Sequence, residues 1–149
     1  MKIAIACDHG AYEHKEALKQ HLTQAGHDVI DFGGFSASAV DYPDTVYPAC
    51  KAVASFQADV GIVMCGTGIG ASIVANKVRG IRCALVYDPE VAKITRLHNN
   101  TNVLAMGGRL VSIDEAMIIA DAWLNTDFSK EERHQNRINK IADIESKEA

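Results

Sequence analysis

The sequence has 149 residues, of which 48% are hydrophobic and 23% are charged, and its formal net charge is −4. This balance predicts one folded domain over residues 1–149 with a buried core, and it excludes a largely disordered chain. The acidic charge argues against a nucleic-acid or acidic-membrane partner. No apolar run approaches the roughly 18 residues of a membrane span, and the start MKIAIACDHG turns polar too early for a signal peptide. We therefore expect a cytoplasmic protein.

Short apolar runs alternate along the chain with segments of helical periodicity. The predicted strands are Lys2–Cys7, Val29–Phe32, Val60–Cys65, Cys83–Val86 and Val103–Met106. The predicted helices are Glu13–Ala25, Tyr42–Ser55, Ala71–Val78, Pro89–His98, Glu115–Leu124 and a polar tail from about Lys130. Strands that alternate with helices predict an α/β fold: a doubly wound, Rossmann-like sheet of five parallel strands, with helices on both faces and a C-terminal helical tail.

Single residues mark the ends of some of these elements. Gly26 follows the first helix as a C′ residue, and Asp114 can cap the helix that we expect to begin at Glu115. Pro43 and Pro48 weaken the first half of the second helix, because proline lacks the N–H that a helix interior needs.

The most informative segment is VGIVMCGTGIGA, residues 60–71, which joins the third strand to the next helix. Its glycines let the backbone approach a ligand closely, and the N–H groups of the helix point at the same place. Such a loop can hold a phosphate or an oxyanion, although a tight turn without a ligand has the same pattern. In a parallel sheet it lies at the ligand-binding edge with Cys7–Gly10 and Gly107–Arg109.

The segment 66–71 also fits G-x-G-x-x-A, the dinucleotide-binding motif, and Asp88 ends the next strand as that motif requires. Two observations count against this alternative. The motif follows the third strand instead of the first, and no second domain remains to hold a substrate. These observations make a small nucleotide-binding module the less favoured interpretation, and it stays as an alternative.

Cys65 ends the third strand at the head of the loop. A Cys-x5-Arg phosphatase would need arginine where Ala71 stands, and a phosphoacceptor receiver domain would need aspartate in place of Cys65. A cysteine before a helix N-terminus favours the thiolate, which can act as a nucleophile or a base. A buried, inert thiol is the alternative, as for the other cysteines; none has the CxxC spacing of a zinc site, and nothing suggests a disulfide framework. The other cysteines are Cys7, Cys50 and Cys83.

In these and several further segments, the chain resembles ribose-5-phosphate isomerase B over nearly its full length. The matching pieces, in chain order, are Cys7-Asp8-His9, Asp41-Tyr42-Pro43, 65–70, Ala75-Asn76-Lys77, 98–103, Gly108-Arg109 and 133–137. The family includes galactose-6-phosphate isomerase subunits, which typically lack either the loop cysteine or the histidine of the HN segment, and allose-6-phosphate isomerases. Both Cys65 and His98 are present, which favours ribose 5-phosphate over a six-carbon substrate.

The resemblance implies an aldose–ketose isomerase of the pentose phosphate pathway that works without metal or cofactor. It makes Cys65 the base that takes the C2 proton and His98 the acid–base group for ring opening. Relatives without the cysteine use a glutamate at the position of Ala71, so Cys65 has no carboxylate substitute nearby. The implied substrate-binding residues are Asp8 and Asn99 for hydroxyls, Gly66, Thr67, Gly68, Ile69 and Gly70 for the oxyanion, and His9, Arg109, Arg133 and Arg137 for the phosphate. We interpret the remaining histidines, His14, His21, His27 and His134, as surface or helix-face residues.

His98 precedes the fifth strand, whereas Cys65 ends the third. In one parallel sheet these positions lie at opposite edges, about 15–20 Å apart. Both can serve one substrate only if a second subunit supplies one of them, so we expect a homodimer with shared sites, as this family is known to form. The tail stripe Ile138, Ile141 and Ile144 suits a partner surface, and whether dimers pair into tetramers stays open.

Overall fold

The structure, a computed structural model that describes residues 1–148, contains one five-stranded parallel sheet with the strand order β2-β1-β3-β5-β4. The strands are β1 Lys2–Cys7, β2 Asp28–Asp31, β3 Val60–Cys65, β4 Cys83–Leu85 and β5 Val103–Gly107. The helices are α1 Tyr12–Gln24, α2 Tyr42–Ala54, α3 Ile69–Asn76, α4 Pro89–Asn99, α5 Ile113–Leu124 and α6 Glu132–Lys147, with a short 3-10 turn at His9–Ala11. The predicted fold class is confirmed.

Alternating strand residues face two separate hydrophobic cores. Ile5 and Met64 point to the face covered by α1, α4 and α5, where Trp123 is fully buried. Ala4 and Val63 point to the face covered by α2 and α3. A central strand covered on both sides must be apolar throughout, which explains the uninterrupted apolar run of β3.

Every predicted boundary holds to within two residues, and the larger of these differences have local causes. Gly26 has a φ of 93°, and its N–H bonds Thr23 O at 3.0 Å, so the predicted C′ residue is confirmed. Asp114 is not the cap of α5: Ser112 is, and its Oγ accepts from Glu115 N at 3.1 Å. A serine three residues before a glutamate is a capping-box signal that the prediction overlooked.

Helix α3 differs from expectation, whereas helix α2 forms as predicted despite its prolines. Helix α3 begins at Ile69, two residues earlier than predicted, directly after Gly68 in the left-handed region. It ends at Asn76, whose side-chain amide makes two hydrogen bonds with the backbone of Cys83 at the start of β4. Helix α2 runs through Pro48 without a break.

The strand order places the switch point of the sheet between β1 and β3. The chain leaves β1 toward β2 on one side and returns to β3 on the other, so the segments that follow β1 and β3 diverge and leave a crevice at their carboxyl ends. No helix within residues 1–148 has the length and hydropathy that crossing a bilayer requires.

Candidate active site

Cys65 lies at the carboxyl end of β3 with only 5% of its surface exposed. Its Sγ accepts a hydrogen bond from the N–H of Gly68 at 3.1 Å, a partner that suits a thiolate. Burial raises the pKa of Cys7 to about 11 and that of Cys50 to about 12, so both stay protonated near neutral pH. Burial also raises the pKa of Cys83. Cys65 is the one of the four cysteines that heads the glycine loop.

The glycine loop is held in place by contacts that leave no room for side chains. Gly68 has a φ of 80°, and a Cβ there would lie 2.6 Å from Leu85 Cδ1. A Cβ on Gly70 would overlap the ring of Tyr42. The loop geometry thus requires glycine for steric as well as conformational reasons.

Not every N–H group of the loop is free for a ligand. The N–H of Gly68 is donated to Cys65 Sγ, and the N–H of Ile69 is donated to Thr67 Oγ1 at 3.2 Å. Of the five loop residues that we expected to donate to an oxyanion, Gly68 and Ile69 already donate their N–H groups within the protein. The candidate donors are therefore the N–H groups of Gly66, Thr67 and Gly70.

Three further predicted residues lie at the same edge of the sheet. Asp8 is buried, and its Oδ1 accepts from Gly10 N at 2.8 Å, at the start of the turn that carries His9. The exposed His9 accepts at Nδ1 from Val40 N at 3.2 Å. Arg109 lies over the loop, because a Cβ on Gly66 would be 3.1 Å from its Nη1. This edge thus brings together a sulfur, a carboxylate, an imidazole and a guanidinium.

The other predicted residues lie at the opposite end of the sheet. The register pairs Gly61 with Val103 and Cys65 with Gly107, so Cys65 is four residues, about 13 Å, along the strands from the level of Val103. His98 lies before Val103 at the end of α4, beyond that level. Asn99 is beside it, and Arg133 and Arg137 extend from α6 as exposed side chains. Within one chain, the second group therefore cannot reach Cys65.

The Arg82 side chain anchors the turn that carries His98 and Asn99. Arg82 Nε donates to Asn99 O at 3.0 Å, and its Nη2 donates to Asn100 O at 2.7 Å. Asn100 adopts a left-handed φ of 45°, which ends the helix. A guanidinium satisfies the free carbonyls at the end of α4 and restrains the orientation of the residues that precede them. A groove of about 800 Å³ opens beside this turn, away from Cys65.

His134 is a residue that the sequence interpretation missed. It is only 5% exposed, not a surface residue, and its ring stacks on His98 with centroids 4.3 Å apart and planes 16° from parallel. Its Nε2 lies 3.4 Å from Glu131 Oε2 and has no hydrogen-bond partner within residues 1–148. Helical spacing placed His134 beside Arg133, but nothing in the sequence indicated that α6 would turn it onto α4.

Acid should destabilise the fold partly through His134. Burial first, and then the nearby charges of His98 and Arg133, lower the pKa of His134, so the unfolded chain binds a proton that the folded chain does not. The free energy of unfolding should therefore fall as the pH drops below about 6.5. In His134→Phe, which keeps the stacked ring, this fall should be smaller. Urea unfolding between about pH 5 and pH 8 measures the difference, and parallel curves for the two proteins would contradict it.

The structure also weakens the alternative of a dinucleotide site. Asp88, which a dinucleotide motif would offer to a ribose, instead caps α4, and its Oδ1 accepts from Glu90 N at 2.7 Å. In the part of the chain that the structure describes, no group of three His, Cys, Asp or Glu side chains is placed to hold a metal ion.

Comparison with known proteins identifies the family of the chain. The family model described as Ribose/Galactose Isomerase matches residues 3–141. Ribose-5-phosphate isomerase B of Escherichia coli is 43% identical over 146 residues, which cover 98% of this chain and 97% of that protein.

Solved structures give the same result. That of ribose-5-phosphate isomerase B from Clostridium thermocellum superposes with a TM-score of 0.98 at 46% identity over 100% of both chains. That of ribose-5-phosphate isomerase B from Mycoplasma genitalium with bound ribulose-5-phosphate gives a TM-score of 0.94 at 37% identity over 97% of this chain and 96% of that one. The chain therefore belongs to the ribose/galactose isomerase family and is an aldose–ketose isomerase.

Proposed function

We propose that the enzyme interconverts ribose 5-phosphate and ribulose 5-phosphate through an enediolate, with Cys65 as the base. The observation that carries this proposal is the thiol at the end of β3, which accepts an N–H from the following loop at 3.1 Å beside Asp8 and Arg109. The Mycoplasma genitalium relative, whose structure contains ribulose-5-phosphate, supports the choice of sugar.

The reaction makes four demands on the site. The furanose ring must open, a proton must leave C2 and arrive at C1, the enediolate oxygen must be stabilised, and the phosphate must be anchored. A thiolate takes the C2 proton and returns it to C1, so Cys65 ends the cycle in its starting form. Loop N–H groups that are not donated within the protein stabilise the enediolate oxygen.

His98 opens the ring in this proposal. An imidazole can give a proton to the ring oxygen and take one from the C1 hydroxyl near neutral pH. The stacked ring of His134 and the anchored turn that ends at Asn100 hold His98 in one orientation. Asn99 and Asp8 bind the sugar hydroxyls.

Residues from both groups that can donate hydrogen bonds to an anion bind the phosphate. His9 and Arg109 belong to the edge of Cys65, and Arg133 and Arg137 belong to α6. Arginines four residues apart share a helix face and can converge on one anion. Anchoring the phosphate lets binding energy far from the reacting carbons orient C1 and C2 against Cys65.

We further propose that the active site is shared between two subunits of a cytoplasmic homodimer. The separation of Cys65 from His98 within one chain supports this arrangement. Large apolar side chains are also left about half exposed on the outer faces of α3, α4 and α6, as expected of surfaces that a second copy covers. They are Ile69, Ile73, Val91, Ile94, Ile141 and Ile144.

An assay against a panel of aldose phosphates tests the substrate. We expect conversion of ribose 5-phosphate to ribulose 5-phosphate in the presence of EDTA and without added nucleotide. The family also contains galactose isomerases, so a six-carbon aldose 6-phosphate is the second candidate. Higher kcat/KM for allose 6-phosphate or galactose 6-phosphate would replace ribose 5-phosphate as the substrate, and inactivity on every sugar together with tight nucleotide binding would overturn the proposal.

A further inference from the structure

Lys15 is a fully buried lysine that the proposed chemistry does not use. It lies in α1 with 0% of its surface exposed. Its Nζ donates to both carboxylate oxygens of Asp31, at 2.9 and 2.8 Å, and to the backbone oxygen of Gly34 at 2.6 Å. The three N–H bonds of the ammonium thus have three acceptors. A buried ion pair adds little net stability, because the cost of desolvating the two charges offsets their attraction. The pair can instead fix the position of the groups that it binds.

The pair holds the base of the loop that follows β2. Gly34 is bound on one side by Lys15 Nζ and on the other by Cys7 O, which accepts its N–H at 2.7 Å. The N–H of Gly33 donates to Asp31 Oδ1 at 2.9 Å. The loop base is therefore tied to the end of β1, directly before Asp8.

The same loop reaches His9 at its far end. Val40 packs on Gly34, since a Cβ built on Gly34 would lie 3.3 Å from Val40 Cγ1. The backbone N–H of Val40 then donates to Nδ1 of His9 at 3.2 Å. Because a backbone N–H can only donate, Nδ1 must accept, and the proton of the neutral imidazole lies on Nε2.

We propose that Lys15 and Asp31 are positioning residues that act through Gly34 and Val40 to hold His9 with its Nε2–H directed at the substrate phosphate. This inference rests on the proposed function, in which His9 binds the phosphate. A donor held in the correct tautomer spends no binding energy on reorienting the ring, so the pair should affect substrate affinity and leave the proton transfer at Cys65 unchanged.

Lys15→Met and Lys19→Met make a matched pair of variants. Lys19 donates to the same Asp31 at 2.9 Å, but it is part-exposed, and the lysine that donates to Gly34 O is Lys15. Lys15→Met should raise KM for ribose 5-phosphate, and Ki for inorganic phosphate, by about five- to twentyfold, with kcat changed less than about threefold. Lys19→Met should leave all three constants unchanged. An equal effect of both substitutions, or a loss confined to kcat, would overturn the inference.

A double-mutant cycle with His9→Ala tests whether the pair acts through the imidazole. Lys15→Met should raise Ki for inorganic phosphate in the wild-type background and have no further effect in the His9→Ala background. Equal effects in both backgrounds would show that Lys15 acts by another route. The ¹⁵N spectrum of His9 gives a second readout: Nε2 protonated and Nδ1 unprotonated in the wild type, and a tautomer mixture in Lys15→Met.

Val40→Pro removes the N–H donor without touching the buried pair, so it carries the test if Lys15→Met does not fold. It should raise Ki for inorganic phosphate as Lys15→Met does, and an unchanged Ki would contradict the inference. Phosphate binding and the His9 tautomer can be measured without turnover. An enzyme inactive on ribose 5-phosphate that shows both effects would therefore refute the substrate and not the positioning by Lys15.

Discussion

Cys65→Ala should lower kcat for ribose 5-phosphate by about 10²- to 10⁴-fold, the usual contribution of a general base, and should change KM little. The physical reason is that residues 66–71, the loop after β3, contain no other side chain that could act as a base. The loop that follows the strand carries Ala71 where a carboxylate base would have to stand. Steady-state kinetics by direct detection of ribulose 5-phosphate measures the loss.

Cys50→Ala is the matched control for this substitution. Cys50 is also a buried thiol, but it lies in α2 away from the loop, and burial raises its pKa to about 12. It should keep wild-type kcat, and circular dichroism should show both variants folded. Comparable losses in the two variants, or a Cys65→Ala enzyme with more than about a tenth of wild-type kcat, would remove Cys65 from the role of base.

His98→Asn should nearly abolish turnover of ribose 5-phosphate yet preserve part of the chemistry. Ribulose 5-phosphate is an open-chain sugar, so removal of its C1 proton by Cys65 needs no ring opening. We therefore expect His98→Asn to keep catalysing exchange of that proton with solvent deuterium. The loss in ribose 5-phosphate turnover should exceed the loss in exchange by about 10²-fold, a typical acid–base contribution.

Proton NMR of ribulose 5-phosphate in deuterated buffer follows the exchange, and Cys65→Ala is the control that should lose both activities. The stacked neighbour offers a second comparison, because His134→Phe keeps a ring against His98 and should retain most of both. Exchange that falls as far as turnover in His98→Asn would assign His98 to the enediolate step instead of ring opening.

The strands and the glycine loop could be predicted from sequence because their signals are local. An apolar run such as Val60–Cys65 predicts a strand covered on both faces, and three glycines after it predict a tight turn. The opposite positions of Cys65 and His98 also followed from chain order alone, since all strands of a parallel sheet point the same way.

Contacts between distant elements could not be predicted in this way. The stacking of His134 on His98 depends on how α6 packs against α4, and the bond from Val40 to His9 depends on the path of a loop without periodicity. The N–H of Gly68 was expected to face a ligand, but it is donated to Cys65 Sγ. This bond accompanies the left-handed φ of Gly68. The sequence thus predicts candidate residues for the site, and the structure shows the contacts that these residues make.

Complementation between two inactive variants tests most directly whether two subunits share each site. Cys65→Ala and His98→Asn chains with different tags would be co-expressed, and the mixed dimer would be isolated through both tags. If each site takes Cys65 from one chain and His98 from the other, the mixed dimer holds one intact site and one site with both substitutions. Its kcat should then be about half that of the wild-type dimer. A mixed dimer no more active than its two parents would show that each chain works with its own residues.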